Sequence, residues 1–307
     1  MSEYAPLALF VSYPFCKRKC SFCPRPVCSA PASTRRRYVD ALLRELEASS
    51  KAAIGQEVCA IRIGGGQTSQ ASTGELADLT ECIVSNYSLS PKAEVTLKVL
   101  PEPAVGKIAG EWNDLGFNRI DYSVVTTDSS TRKLLGMPQL DANFGQPSGI
   151  ENFGVSLSFG LPGQDSPALD AEIAAMLALG TKHIALKPFK LAANTPLGEL
   201  YKKHLGKYEA CSKRGIPTNE QTATMLNAAK NTLKGLGMVE YLPLRFALPG
   251  YECQFDGAIA TGADVLGFGC NSRSRFRGIH FENTEFLDVY IANSPDFDKI
   301  TSEFSIL

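Results

Sequence analysis

The 307 residues carry 31 basic and 32 acidic side chains, a formal charge of -1, so no bulk attraction to nucleic acid or to an anionic membrane is expected. Hydrophobic residues make up 44% and charged residues 21%, an ordinary globular balance. No run approaches the ~20 apolar residues that a spanning helix needs, which excludes a membrane span of that kind. Of the nine cysteines, Cys16, Cys20 and Cys23 crowd together, Cys28 lies close by, and Cys59, Cys82, Cys211, Cys253 and Cys270 are scattered singly. That odd, uneven set is not a disulfide framework, and it fits a reducing, cytoplasmic compartment. The opening Met1-Ser2-Glu3-Tyr4 has no basic stretch ahead of an apolar core, so no signal peptide is expected.

In chain order, Leu7 to Ser12 reads as a buried strand that ends on the cysteine loop. Cys28 to Thr34 is a Ser/Ala/Pro-rich connector. Tyr38, Leu42 and Leu46 recur every four residues and predict a helix over 35–49. Val58 to Ile63 is a second strand, running into Gly64-Gly65-Gly66, and Leu76, Leu79, Ile83 and Val84 mark the next helix. Glu94 to Leu100 is a third strand, followed by a helix over 104–115 with Val105, Ile108, Ala109 and Trp112 on one face. Arg119 to Val125 is strand four and Ser129 to Leu135 a short helix. Asp141 to Gly149 reads as a loop. Val155 to Phe159 is strand five, Ala168 to Leu179 a helix, and His183 to Leu186 strand six. This alternation predicts an α/β fold, a partial (β/α)6 barrel of parallel strands over residues 1–200. Residues 201–307 are expected to form a C-terminal α+β appendage. Its long helix, Thr218 to Leu236, would turn Ala223, Leu226 and Leu233 inward. Met238 to Ala247, Leu266 to Phe268 and Ile279 to Phe281 would be short antiparallel strands packed on the barrel.

The spacing C-x3-C-x2-C places Cys16, Cys20 and Cys23 on one short loop, where they can hold a compact metal centre. A site-differentiated [4Fe–4S] cluster wants three thiolates and leaves one iron free for another ligand. Structural zinc wants four protein ligands, and Cys28 could be the fourth. In a parallel α/β sheet ligands sit at the carboxyl ends of the strands. Both the cysteine loop and the triple glycine fall there, and glycine leaves backbone groups free to approach a ligand. Lys17-Arg18-Lys19 and Arg35-Arg36-Arg37 read as solvated charge. Of the three histidines, His183 at a strand start reads as structural, while His204 and His280 have no cluster around them.

Pro14-Phe15-Cys16, Cys20-Ser21-Phe22-Cys23 and Gly64-Gly65-Gly66 resemble the radical S-adenosylmethionine enzymes, and in particular the group of oxygen-independent coproporphyrinogen III oxidases and related haem chaperones. Shorter matches run the whole length, among them Gly116-Phe117-Asn118-Arg119, Phe159-Gly160-Leu161-Pro162-Gly163-Gln164, Asn194-Thr195-Pro196-Leu197 and Leu266-Gly267-Phe268-Gly269. The resemblance implies that Cys16, Cys20 and Cys23 ligate a [4Fe–4S] cluster whose fourth iron is chelated by S-adenosylmethionine. Reductive cleavage of that cofactor would give a 5′-deoxyadenosyl radical. Phe10, Phe22, Gly65, Gly66 and Gln67 are the implied cofactor-side residues, Phe22 near the adenine and Gly65 and Gly66 facing the methionine amino group. The implied partners are a small-molecule substrate, a tetrapyrrole, and a reducing electron donor. Arg245, Arg273, Arg275 and Arg277 are the candidates for substrate carboxylates.

The departures from the group's pattern are specific. Phe10 and Ser12 stand where the group has Tyr and His, and Gln67-Thr68 where its glycine run continues Thr-Pro. Lys98 replaces a Glu on strand three, Val125 a Gln on strand four and Ser156 an Asp on strand five. Met137 and Gln139 replace an Arg and a His. The sequence stops at Leu307, where many members continue into a small C-terminal domain. Each hydrogen bond removed from a buried site costs ~1–3 kcal/mol, so these changes would weaken the hold on S-adenosylmethionine. They define the alternative reading: a non-catalytic relative that keeps the cluster and serves in haem or cluster binding.

Overall fold

The computed structural model describes residues 5–140, 144–203 and 215–303; Asp141, His204 and Cys211 lie outside them. Six parallel strands come first, each beside the last: β1 (Leu7–Tyr13), β2 (Glu57–Gly65), β3 (Ser88–Val99), β4 (Arg119–Val125), β5 (Phe153–Phe159) and β6 (His183–Pro188). The crossovers between them carry α1 (Ala32–Ser50), α2 (Thr73–Asn86), α3 (Pro103–Asp114), α4 (Ser129–Leu134) and α5 (Ser166–Ala178). Strand side chains alternate between the two faces. Ile61 and Ile63, Leu97 and Val99, Ile120 and Tyr122, and Val155 and Leu157 enter the main core beneath the helices. The residues between them, Arg62, Lys98, Asp121 and Ser156, therefore face the barrel interior, where they wall one small chamber. The fold thus has an oily outer layer and a charged lumen.

Strand β3 starts six residues earlier than its apolar run. Val58 pairs with Leu89 and Ala60 with Glu94, so Ser90 to Ala93 bulge out of the ladder. Pro91 lies in that bulge, where its missing N–H costs no ladder hydrogen bond. Helix α2 starts on a capping box: Ser72 accepts from the Glu75 amide while Glu75 accepts from the Ser72 amide.

After β6 come α6 (Pro196–Lys203), α7 (Asn219–Gly235), β7 (Val239–Leu242), β8 (Arg245–Ala247), α8 (Gln254–Ala260), β9 (Asp264–Phe268), β10 (Arg273–Phe276), β11 (Ile279–Asn283), α9 (Leu287–Asn293), α10 (Phe297–Ile300) and β12 (Thr301–Glu303). The order across the twelve-stranded sheet is β12-β11-β10-β9-β1-β2-β3-β4-β5-β6-β8-β7. Two sequence-based expectations are corrected by these elements. Leu266 to Phe268 is not part of a purely antiparallel set: β9 pairs parallel with β1, Leu266 opposite Leu9, and becomes a seventh parallel strand. Its apolar run Val265-Leu266 and the burial of Phe268 are what a strand flanked on both sides requires. On α7, Ala223 is exposed and the inward face is Met225, Ala229 and Leu233, a stripe with a spacing of four. The hairpin of β7 and β8 extends the other edge antiparallel to β6. Among the described residues, no helix is long and apolar enough to cross a membrane.

Candidate metal and cofactor site

The cysteine loop leaves β1 and is fastened on three sides by backbone hydrogen bonds. Cys16 N donates to Cys28 O (2.9 Å) and Cys28 N to Pro14 O (3.0 Å), closing the loop on itself. Gly66 N donates to Tyr13 O (2.8 Å) and Gln67 N to Phe15 O (2.7 Å), tying it to the end of β2. Ser21 N donates to Leu135 O and Leu197 N to Ser21 O, each at 2.9 Å, anchoring the far side. The approach to β2 is close. A Cβ on Gly66 would sit 2.5 Å from Phe15 O and 2.8 Å from both Phe15 N and Tyr13 O. Gly65 has φ +108, a conformation L side chains rarely adopt.

Cys16, Cys20 and Cys23 all line one cavity of about 310 Å3, within the usual size range of small-molecule sites. Gly65 and Gly66 form part of its wall, as do Lys98, Val125, Ser156 and Lys187 from the ends of β3 to β6. Burial raises the Cys16 thiol to about 11, with Cys20 and Cys23 adding to the effect, and burial followed by Cys23 raises Cys20. Cys28 does not line the cavity; it packs against the main core. No three His, Cys, Asp or Glu side chains among the described residues converge on a single-ion site. A cluster meets one thiolate at each of three irons, whereas a structural zinc ion needs four protein ligands, and among the described residues three cysteines line this cavity. The three cysteines therefore fit a cluster.

The sequence-predicted cofactor residues divide into two sets. Phe22, Gly65 and Gly66 line the cavity, and the Phe22 ring lies 6.1 Å from that of Phe189, which also lines it, ring centre to ring centre. Phe10 and Gln67 do not line it. The Phe10 ring packs on Phe255 at 6.4 Å, deeper in the barrel. Gln67 is buried and braces the loop: Lys17 N donates to its Oε1 (3.3 Å), and its amide nitrogen donates to Glu102. Arg25 donates to Gly65 O at 2.5 Å, so the carbonyl expected to face a ligand already has a partner. Val125 has φ 69, a costly conformation for a β-branched residue. Buried Arg132 holds it there, with Nη1 donating to Val124 O and Thr126 O at 2.8 Å each.

The candidate substrate arginines do not converge on the cavity. Arg273 pairs with Glu282 (2.9 Å), Arg275 donates to Ile259 O and Ala263 O, and Arg277 stacks on Phe276. Arg245 instead enters the lumen, where Asp256 accepts from Arg62 (2.7 Å) and Arg245 (2.8 Å). Asp121 lies 3.5 Å from Arg62 and 3.2 Å from Arg119. Its burial would raise its pKa, but Arg119 and Arg62 hold it well below the carboxylate range. His183 contacts Tyr241 OH (2.8 Å), and burial with nearby Arg119 lowers it to about 3, so it is neutral at physiological pH. None of Arg62, Asp121 or Lys187 was singled out by motif reading, although the strand alternation carries the signal for each.

Asp256 gives a pH prediction. Burial would raise it, but Arg62 and Arg245 bring it from 3.8 to about 2. A depressed carboxylate adds stability that is fully present above about pH 4 and is lost as pH falls toward about 2, here at most ~2 kcal/mol. Asp256→Asn is expected to flatten the acid limb of thermal stability across that window. An unchanged slope would mean the ion pairs contribute nothing.

The solved structure of Escherichia coli coproporphyrinogen III oxidase HemN, described as a radical SAM enzyme, superposes with a TM-score of 0.80 over 98% of this chain and 71% of that one, at 19% identity. The chain therefore shares its fold with that structure, and its own thiol loop lies at the carboxyl ends of the barrel strands. No family model matches the chain. Among curated proteins, the haem chaperone HemW of E. coli strain K12 is 24% identical over 282 residues, covering 90% of this chain and 71% of its own length. HemW of Buchnera aphidicola subsp. Schizaphis graminum is 23% identical over 291 residues, covering 91% and 73%. A mitochondrial radical S-adenosyl methionine domain-containing protein 1 of Danio rerio is 25% identical, covering 90% of this chain and 62% of its own. In sequence the chain is similar to these HemW haem chaperones, and in fold to HemN.

Proposed function

We propose that this chain is a radical S-adenosylmethionine-type [4Fe–4S] protein of porphyrin or haem metabolism, an oxidoreductase working by 5′-deoxyadenosyl radical chemistry in the cytoplasm. The observation that carries the reading is that Cys16, Cys20 and Cys23 share one cavity with Gly65 and Gly66 at the carboxyl ends of the strands. A cluster bound there supplies the electron for reductive cleavage of S-adenosylmethionine. The chain's own residues bind and orient. The three cysteines furnish thiolates, and Gly66 lets β2 approach the loop that carries them. Phe22 and Phe189 offer an apolar wall suited to an adenine, and Ser123, Ser156 and Ser158 bring hydroxyls to the strand ends. An electron donor and a tetrapyrrole substrate complete the proposal.

A second reading is favoured by two observations at the site. Gly65 O is engaged by Arg25, and a lysine lines the wall at the position where the resembling group has a carboxylate. The ligand of this chain would then be haem or another tetrapyrrole held without turnover; the HemW relatives are named haem chaperones. Anaerobically reconstituted protein with dithionite separates the two. The leading reading expects 5′-deoxyadenosine from S-adenosylmethionine. A full cluster with no cleavage, no calorimetric binding of S-adenosylmethionine and saturable binding of haem would replace it with the second.

A further inference from the structure

Lys98 stands near the end of β3 and Lys187 near the end of β6, three strands away in the sheet. Both side chains nevertheless line the cysteine-loop cavity, and both also line a chamber of about 40 Å3. The two lysines and Ser156 are shared by the two spaces.

The chamber's charges do not balance. Its wall holds four basic side chains, Arg62, Lys98, Lys187 and Arg245, against two carboxylates, Asp121 and Asp256. Both carboxylates are already committed. Asp256 accepts from Arg62 and Arg245, and Asp121 lies beside Arg62 and Arg119. Neutral His183 offers no compensation. Among the described residues, neither lysine has a carboxylate within ion-pair distance. Burial, with Arg62, depresses Lys98, while Lys98 and then burial depress Lys187 well below the lysine range. The two side chains also hydrogen-bond each other, which raises Lys98 and lowers Lys187, and in low-dielectric surroundings without a counter-ion a second charge on the pair is disfavoured. An anion placed at the pair favours that second charge and accepts charge-assisted hydrogen bonds from both lysines.

We infer that Lys98 and Lys187 form an anion subsite, taking the carboxylate or phosphate of a small molecule held in the cysteine-loop cavity. The pair is built by strands alone, so the inference goes beyond the proposed radical chemistry and does not depend on a cluster. The carboxylate could belong to S-adenosylmethionine or to a second ligand, and the test separates these sources.

The experiment uses the whole 307-residue chain, cluster-free, in calorimetric titrations with inorganic pyrophosphate, with succinate and with S-adenosylmethionine. Wild type is expected to bind pyrophosphate or succinate at one saturable site. Lys98→Met and Lys187→Met should each weaken that binding at least tenfold, while Arg37→Ala, on the exposed face of α1, should leave it unchanged. Methionine keeps the aliphatic stem and removes an unbalanced charge, so both variants should also melt at or above the wild-type temperature without anion. If the lysine variants also lose affinity for S-adenosylmethionine, its carboxylate is the natural anion; if only the inorganic or dicarboxylate probe is affected, the anion belongs to a second ligand. Either result supports the subsite. No binding of pyrophosphate or succinate to wild type, or equal binding to wild type and both lysine variants, would overturn it. Neither result bears on cofactor cleavage, which is read on reconstituted protein.

Discussion

Cys20→Ala is expected to leave a folded chain that has lost most of its iron, sulfide and iron–sulfur absorbance after anaerobic reconstitution. Cys20 is half-buried on the loop, and the backbone bonds around it run from Ser21 and Cys23 and do not involve its thiol. Removing its sulfur therefore costs the centre a ligand while the loop keeps its anchors. Cys28→Ala is the matching control. Cys28 ties the loop through its backbone, but its side chain packs against the core away from the cavity. That variant should keep its metal. Equal loss of metal from both variants would mean a four-thiolate centre and would sink the three-cysteine assignment.

The second large effect is expected at Gly66. Alanine there would drive its methyl group into the Phe15 carbonyl at 2.5 Å and the Tyr13 carbonyl at 2.8 Å. These are backbone atoms, which cannot swing aside as a flexible side chain would. Either the cysteine loop lifts off the end of β2, breaking the Gly66-to-Tyr13 and Gln67-to-Phe15 hydrogen bonds, or β2 shifts. Overpacking of this kind costs ~1–3 kcal/mol, and two broken backbone bonds add to it. Gly66→Ala should lower the chemical denaturation midpoint and prevent cluster assembly, even though no ligand atom has been touched. Gly74→Ala, whose Cβ would meet only Ser72 Oγ, at 4.0 Å, is the control that should do neither. A stable Gly66→Ala protein that assembles a cluster normally would show that the loop does not need the close approach.

Much of this was legible in the residues themselves. The three cysteines announce their chemistry because their spacing confines them, and the glycine run marks a close approach, although the backbone it meets first is the cysteine loop. The alternation of Ile61-Arg62-Ile63, Leu97-Lys98-Val99 and Ile120-Asp121-Tyr122 already states that a charged residue on each strand faces away from the helices. What periodicity cannot give is where strands distant in sequence come together. Lys98 and Lys187 meet only because β3 and β6 end on the same lumen, and nothing local to either residue records the other. The parallel pairing of β9 with β1 was hidden for the same reason, since a short apolar strand looks alike whichever way its neighbour runs. Phe10 and Gln67 illustrate a different limit. Each sits beside a motif residue, yet one packs deeper in the barrel on Phe255 and the other turns back to brace the loop.

The most direct test of the central claim is elemental and spectroscopic analysis of one anaerobically reconstituted sample of the whole chain. Cys16, Cys20 and Cys23 holding a cluster predict about four iron and four sulfide per chain, and a reduced-state paramagnetic signal that shifts when S-adenosylmethionine is added. Stoichiometric zinc without sulfide, or iron that survives unchanged in Cys20→Ala, would contradict it.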